Sequence, residues 1–299
     1  MTVSAVVGLA VLLLLPNCQA QQPQLPTPGD DESTESTQAV ESETGIEQTD
    51  SVDHLDGYVS PSEIVRKAYL APPEAKQIST RRVWIDREKH RVYVDGYIAM
   101  RDGPLEMFAC PMGTKEHESI VGTLAKASEV HAALLAVGAK PGTPVQYIPS
   151  FVPATGQRIR VWVCYLDNKR KFQVVDARKW IRKTGTEQEM KADWVFAGSG
   201  FYKDPSDGRE YYRADGGDMI CVSNFSTAMM DVPFASSAEA DDLIFSPFTK
   251  RIPERGKPVR LVLSPIPLKT DKPEAKPYEV TKPEAEILPL NEAPAKAGK

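Results

Sequence analysis

The stretch RVWIDREKHRVYVDGYIAM, from Arg82 to Met100, constrains the fold of this 299-residue chain more than any other. Apolar and polar side chains alternate on both sides of a polar turn at Asp86 to Lys89. A period of two puts one set of side chains on one face of an extended strand, so the stretch predicts a β-hairpin. RIRVWVCYLD and RKFQVVDA flank the basic turn NKRK (Asn168 to Lys171) as a second hairpin. DWVFAGSGFYK and REYYRADGGDMICVSN flank DPSDG as a third, with Pro and Gly at the loop. PLEMFAC, HESIVGTLA and KPVRLVL read as further strands.

Helical signals are few. Ser60-Pro61 opens a short helix over Ser62 to Leu70, which Pro72-Pro73 stops. Ser128 is placed to cap EVHAALLAVGA, where Val130, Ala133, Leu134 and Val137 repeat at helical spacing before Gly138. The expected fold is a single β-rich α+β domain over residues 58–264, of mainly antiparallel strands with one main packed helix and short accessory helices.

The flanks differ in composition. SAVVGLAVLLLLP has the length of a signal-peptide core, and cleavage after Ala20 would give a signal peptide of residues 1–20. The alternative is a lipoprotein signal ending before Cys18, which would then carry a lipid anchor. No other run approaches the ~18 apolar residues of a membrane span, so no transmembrane helix is expected after signal removal. Residues 21–57 hold ten Asp and Glu and no Lys or Arg, which predicts an acidic disordered linker. Residues 265–299 hold seven Pro and repeat Lys-Pro-Glu-Ala at Lys272 and Lys282, which predicts a disordered, polyproline-like tail.

Charge follows this division. The whole chain carries −5, but the linker carries −10 and the tail is neutral, leaving +5 on residues 58–264. The basic residues look scattered apart from NKRK, and no basic stripe with interleaved aromatics points to nucleic acid. The sequence identifies no partner; an envelope protein, an anionic envelope polymer and a membrane surface all stay open.

The segments GPLEMFACPMGTKEHESIV, VHAALLAVGAKPGTPV, WVFAGSGF and IPERGKPVRLVL, between about Val83 and Leu263, resemble the YdjY-like domain of bacterial exported and envelope proteins, in a longer, planctomycete-type form. The resemblance implies export and a shared architecture, and brings no reaction with it. Some relatives bear a ferredoxin-like label. An iron–sulfur cluster needs about four thiolates in close runs. Export leaves Cys110, Cys164 and Cys221, with no Cys-x-x-Cys, so the cluster is rejected and no cofactor is expected.

CPMGTKEHESIV, residues 110–121, concentrates the remaining chemistry. Cys110, His117 and His131, with Glu116 or Glu118, are the zinc-type ligands, but their spacing matches no zinc motif. Read as a strand, EHESIV sends Glu116 and Glu118 to one face and His117 to the other. Cys110 or Ser119 beside His117 or His131 would be a nucleophile and base. His90 falls at a hairpin turn, where exposure is expected. Cys110 and Cys221 could form a disulfide, while Cys164 reads as buried and inert. Asp215 and Asp218 bracket two glycines in a second candidate turn. Glu118 would need a cationic partner if buried, Lys115 or Lys126 among them. The expected function is a non-enzymatic binding or assembly module using a surface near Glu116, His117, Glu118 and His131. The alternative is a metal- or thiol-dependent enzyme built on the Cys110–His131 region.

Overall fold

A computed structural model describes residues 59–237, 242–268 and 278–291. The expected signal peptide, the Cys18 anchor and the acidic linker lie outside them. Helix α1 spans Pro61–Ala68 and α2 spans Ala127–Ala136. The first seven strands are β1 (Lys76–Ser79), β2 (Val83–Asp86), β3 (Arg91–Ile98), β4 (Met107–Pro111), β5 (Ser119–Thr123), β6 (Arg158–Leu166) and β7 (Phe172–Asp176). The others are β8 (Ile181–Lys183), β9 (Trp194–Phe196), β10 (Phe201–Lys203), β11 (Glu210–Tyr212), β12 (Ile220–Cys221), β13 (Met230–Asp231), β14 (Phe245–Pro247) and β15 (Pro258–Pro265).

The three hairpins form as β2–β3, β6–β7 and β10–β11. The domain is α+β and β-rich, but the sheet is not simply antiparallel. Its strands run in the order β3, β15, β6, β9, β13, β12, β4, β5 and return to β3, closing an eight-stranded mixed barrel. β4–β5 and β12–β13 are parallel pairs. Closure removes the open edges of these eight strands, while β1 and β7 remain edge strands of the same sheet. It depends on small residues where β3 meets β5. A Cβ on Gly96 would lie 2.4 Å from the Gly122 carbonyl oxygen, inside any allowed contact.

Alternation decides what enters the barrel. Val92, Val94, Val161, Val163, Leu261 and Leu263 join the main core with Phe108, Trp194 and Phe196. α2 packs on β2 and β3 and adds Val130, Ala133 and Leu134. Ser128 does not cap it. The helix begins at Ala127, two residues before the Glu129 start that such a cap implies, and Asp215 accepts from the Ser128 N–H at 2.8 Å and from its hydroxyl at 2.9 Å.

The opposite side chains of β2, β3, β6 and β15 face a second layer. Trp84, Tyr93, Cys164 and Val262 bury against Ile287. This corrects the expectation of a disordered tail. Within residues 278–291, Ile287 and Leu288 are buried, Leu290 bridges Tyr69, and Tyr278 stacks on His90 with ring centroids 3.9 Å apart. His90 is consequently half-buried, with Nδ1 3.0 Å from the Val137 carbonyl, and not exposed as its place in a turn suggests. The proline-rich composition concealed two apolar anchors, Ile287 and Leu288, which supply the burial that orders the segment.

One buried ion group ties these layers together. Asp95 and Arg260 are both fully buried and meet in a bidentate pair at 2.6 and 3.0 Å. Arg82 donates to the same carboxylate at 2.8 Å. The rest of the Arg260 guanidinium donates to the carbonyls of Leu70 and Ile287. Every donor direction used on Arg260 ends on an oxygen, which is what burial of a guanidinium requires.

Candidate functional site

The 110–121 stretch is a crossover. β4 and β5 are parallel and in register, Met107 beside Ser119 and Pro111 beside Thr123, so residues 112–118 must carry the chain back the length of β4. Such a return is unusually short for parallel neighbours. Polar contacts hold it. Thr114 Oγ1 donates to the Pro111 carbonyl at 2.6 Å, the Gly113 N–H donates to Glu116 Oε2 at 2.8 Å, and the Tyr97 hydroxyl donates to Glu116 Oε1. Gly113 takes a φ of +80°. Glu116 is therefore the pin of the crossover.

Glu116–Glu118 form a single 3₁₀ turn and not the start of a strand, so the expected two-faced alternation does not hold there. The turn sends its side chains three ways. His117 points outward, its side chain 75% exposed. Glu118 turns inward to Lys115 Nζ at 3.6 Å. Lys115 also meets Asp218 Oδ1 at 3.1 Å and lies over the Phe225 ring at 4.4 Å. Thr227 donates to the other Asp218 oxygen. Burial and the neighbouring Glu118 push the Glu106 carboxyl above its usual range. Burial disfavours the Lys115 ammonium, but Asp218, Glu118 and Glu106 outweigh it and raise its pKa. Lys115 is thus a fixed cation among three carboxylates. Sequence reasoning named Glu118 and anticipated Lys115, but missed Glu106, which sits at the unmarked start of a strand.

The second candidate turn divides as well. Asp215 caps α2, while Asp218 pairs with Lys115. Between them Gly217, at φ +140°, leaves room for the Lys115 stem, whose Cδ would stand 2.6 Å from an added Cβ.

The other candidates do not join this cluster. Cys110, Cys164 and Cys221 are free thiols, all buried. The Cys110–Cys221 disulfide that the sequence left open is not formed, because the β4–β12 register sets Cys221 opposite Met107. Burial pushes the Cys110 thiol above its usual pKa, which suppresses the thiolate a nucleophile needs. His131 Nδ1 lies 2.8 Å from the Tyr212 hydroxyl, which donates onward to the Gly198 carbonyl at 3.0 Å. Phe196 packs edge-on to the His131 ring, and burial lowers the imidazole pKa. Among the described residues no group of three or more His, Cys, Asp and Glu side chains is placed to hold a metal ion.

The YdjY domain model matches residues 83–264, from the first residue of β2 to the penultimate residue of β15. The chain belongs to the YdjY domain family. No curated protein and no solved structure matches it. The match covers every strand of the barrel, while α1, β1 and residues 278–291 lie beyond it.

Two open grooves adjoin on the YdjY domain. One, of 780 Å³, is lined by Arg101, Asp102, Thr114, Glu116, His117 and Arg255, among others. The other, of 550 Å³, is lined by Arg101, Lys169, Lys171, Lys250, Arg251 and Lys257, with Tyr165 and two carboxylates, Asp167 and Glu254. Strand register creates this second groove. β15 lies between β3 and β6, with Arg260 opposite both Asp95 and Cys164. The strap Thr249–Lys257 that leads into β15 is therefore delivered beside the β6–β7 turn, where Lys257 Nζ donates to Asn168 Oδ1 at 2.6 Å. Basic residues that look scattered along the chain converge here. The available signal was the pairing of two basic segments, NKRK and TKRIPERGK, with a strand order that sequence alone does not supply.

Proposed function

We propose that this YdjY domain is a non-enzymatic binding or assembly module, exported to the cell envelope, whose ligand-facing surface is the pair of grooves on either side of the strap. The apolar run at residues 4–16 supports export. One observation carries the binding reading: the two open grooves share Arg101 and are walled by cationic and hydrogen-bonding side chains, whereas, apart from the exposed His117 in the first groove, the residues suited to acid–base or thiol chemistry are held in structural contacts. Glu116 pins the crossover, Asp215 caps α2, His131 bonds Tyr212 and Cys110 is buried. The module reading is tested by lysine labelling of the full chain in the presence and absence of isolated cell envelopes. Protection of Lys169, Lys171, Lys250 and Lys257 above that of Lys67 and Lys183 is expected. Equal labelling of all lysines would overturn it.

A second reading, an enzyme, is favoured by the convergence of Glu106, Glu118 and Asp218 on Lys115. The raised pKa of Lys115 suits a charged clamp and not an amine nucleophile, which ranks this reading second.

A further inference from the structure

We infer that the groove between the β6–β7 turn and the Thr249–Lys257 strap binds an acidic glycan, a sugar polymer bearing carboxylate or phosphate groups; this rests on the binding-module reading and names its ligand. Among the described residues the side-chain ammonium groups of Lys169, Lys171, Lys250 and Lys257 form no ion pair, although they line one groove. Like charges gathered in this way repel, and an anionic occupant relieves the repulsion.

The two carboxylates in the lining offset the lysines only in part. Asp167 accepts from the backbone N–H groups of Lys169 and Lys171, both at 2.9 Å, and from Gln173 Nε2 at 3.0 Å. Those bonds, the one from Lys171 foremost, hold its pKa below the usual range and spend its oxygens on shaping the turn. Glu254 forms no ion pair among the described residues, so with Asp167 two carboxylate charges stand against four ammoniums.

Arginines and lysines divide the work. Arg101 donates to the carbonyls of Ile252 at 3.0 Å and Thr249 at 3.3 Å, fixing the strap. Arg251 pairs with Glu189 and lies 3.8 Å over the Phe248 ring. The guanidinium groups build the wall, Lys257 ties it to Asn168, and the flexible heads of Lys169, Lys171 and Lys250 are left to meet acid groups of irregular spacing. Tyr165, backed by Trp180 at 5.9 Å between ring centroids, adds an aromatic surface of the kind on which sugar rings stack. Ile252 and Pro253 are the only aliphatic side chains in the lining, too little apolar wall for a lipid tail. The groove is open and continues past Arg101 toward Arg255, which suits a chain of sugars over a single small anion.

The test is titration calorimetry of the full chain with polygalacturonate, phosphomannan, neutral dextran and polyglutamate, at low and moderate salt. Binding to at least one acidic glycan is expected, weakening with salt. It should fall tenfold or more in a Lys169→Ala/Lys171→Ala/Lys250→Ala variant whose melting temperature is unchanged. Tyr165→Phe keeps the ring and should retain binding; Tyr165→Leu should weaken acidic-glycan binding at least threefold without affecting polyglutamate. Whichever acidic glycan binds more tightly identifies the acid group. Wild-type affinity in the triple variant, or equal binding of dextran, overturns the site. Polyglutamate binding as tightly as the glycans, with no effect of Tyr165→Leu, overturns the sugar assignment. Envelope protection at the lysines without glycan binding would sink this inference and leave the module reading standing.

Discussion

Two cationic regions lie along β15, and they treat charge in opposite ways. In the layer beneath residues 278–291, Arg260 is fully buried and its donors end on Asp95, Leu70 and Ile287. Just before the same strand, Lys257 meets only the neutral Asn168, and its groove neighbours Lys169, Lys171 and Lys250 are exposed without a carboxylate partner. The first arrangement consumes charge to hold elements together. The second leaves charge available. A third case falls between them: Asp231 is fully buried, yet only its Oδ1 is satisfied, by the Val232 N–H at 2.7 Å and Asn224 at 3.2 Å. Its Oδ2 has no partner, and burial pushes its pKa up to about 8. Matched, half-matched and unmatched charges thus become structural, neutral and available respectively.

The strongest way to break the contrast is Arg260→Ala. It would leave Asp95 buried with Arg82 alone and orphan two carbonyls. Chemical denaturation should register a loss of about 3–5 kcal/mol. A loss below about 1 kcal/mol would mean that Arg260 is no more structural than the groove lysines.

Asp231 sharpens the comparison through pH. A carboxyl titrates near pH 3.9 in an unfolded chain. Between that value and about 8 the folded state holds a proton that the unfolded state has released. Stability contributed by this group is therefore present at low pH and falls as pH rises through the window, by up to about 1.4 kcal/mol per pH unit. Asp231→Asn keeps a donor at the unpartnered position and carries no charge. Its advantage over the native protein should be small at pH 4.5 and largest above pH 8, read from urea midpoints. Parallel profiles for the two proteins would show that Asp231 is ionised when folded.

The smallest effect belongs to the groove. Neutralising Lys169, Lys171 and Lys250 together removes repulsion and no ion pair, so stability should stay within about 0.5 kcal/mol of native by thermal unfolding. A clear loss would place these lysines with Arg260 as structural charges.

Sequence periodicity made the hairpins legible, since β2–β3 and β6–β7 follow from alternation around polar turns. Barrel closure was not legible. It rests on Gly96 and Gly122 meeting across strands distant in the chain, and glycine carries no hydropathy signal. The candidate site was legible in part. Glu118 and Asp218 do share a cation, but Asp215 and His131 were claimed by α2 and Tyr212 through contacts over 80 residues away in sequence. A 3₁₀ turn replaced the expected strand at Glu116–Glu118 because the crossover is too short for an extended approach to β5. The basic groove was hidden for the reason that closure was: it depends on which strands are neighbours.

Arg260 lies inside the family match, but three of its dependencies do not. Leu70, Ile287 and the Tyr69 ring 5.8 Å from its guanidinium all belong to the flanks. A polypeptide trimmed to residues 83–264 would keep the arginine and discard the oxygens that make its burial tolerable. In this chain the flanks and position 260 therefore stand or fall together.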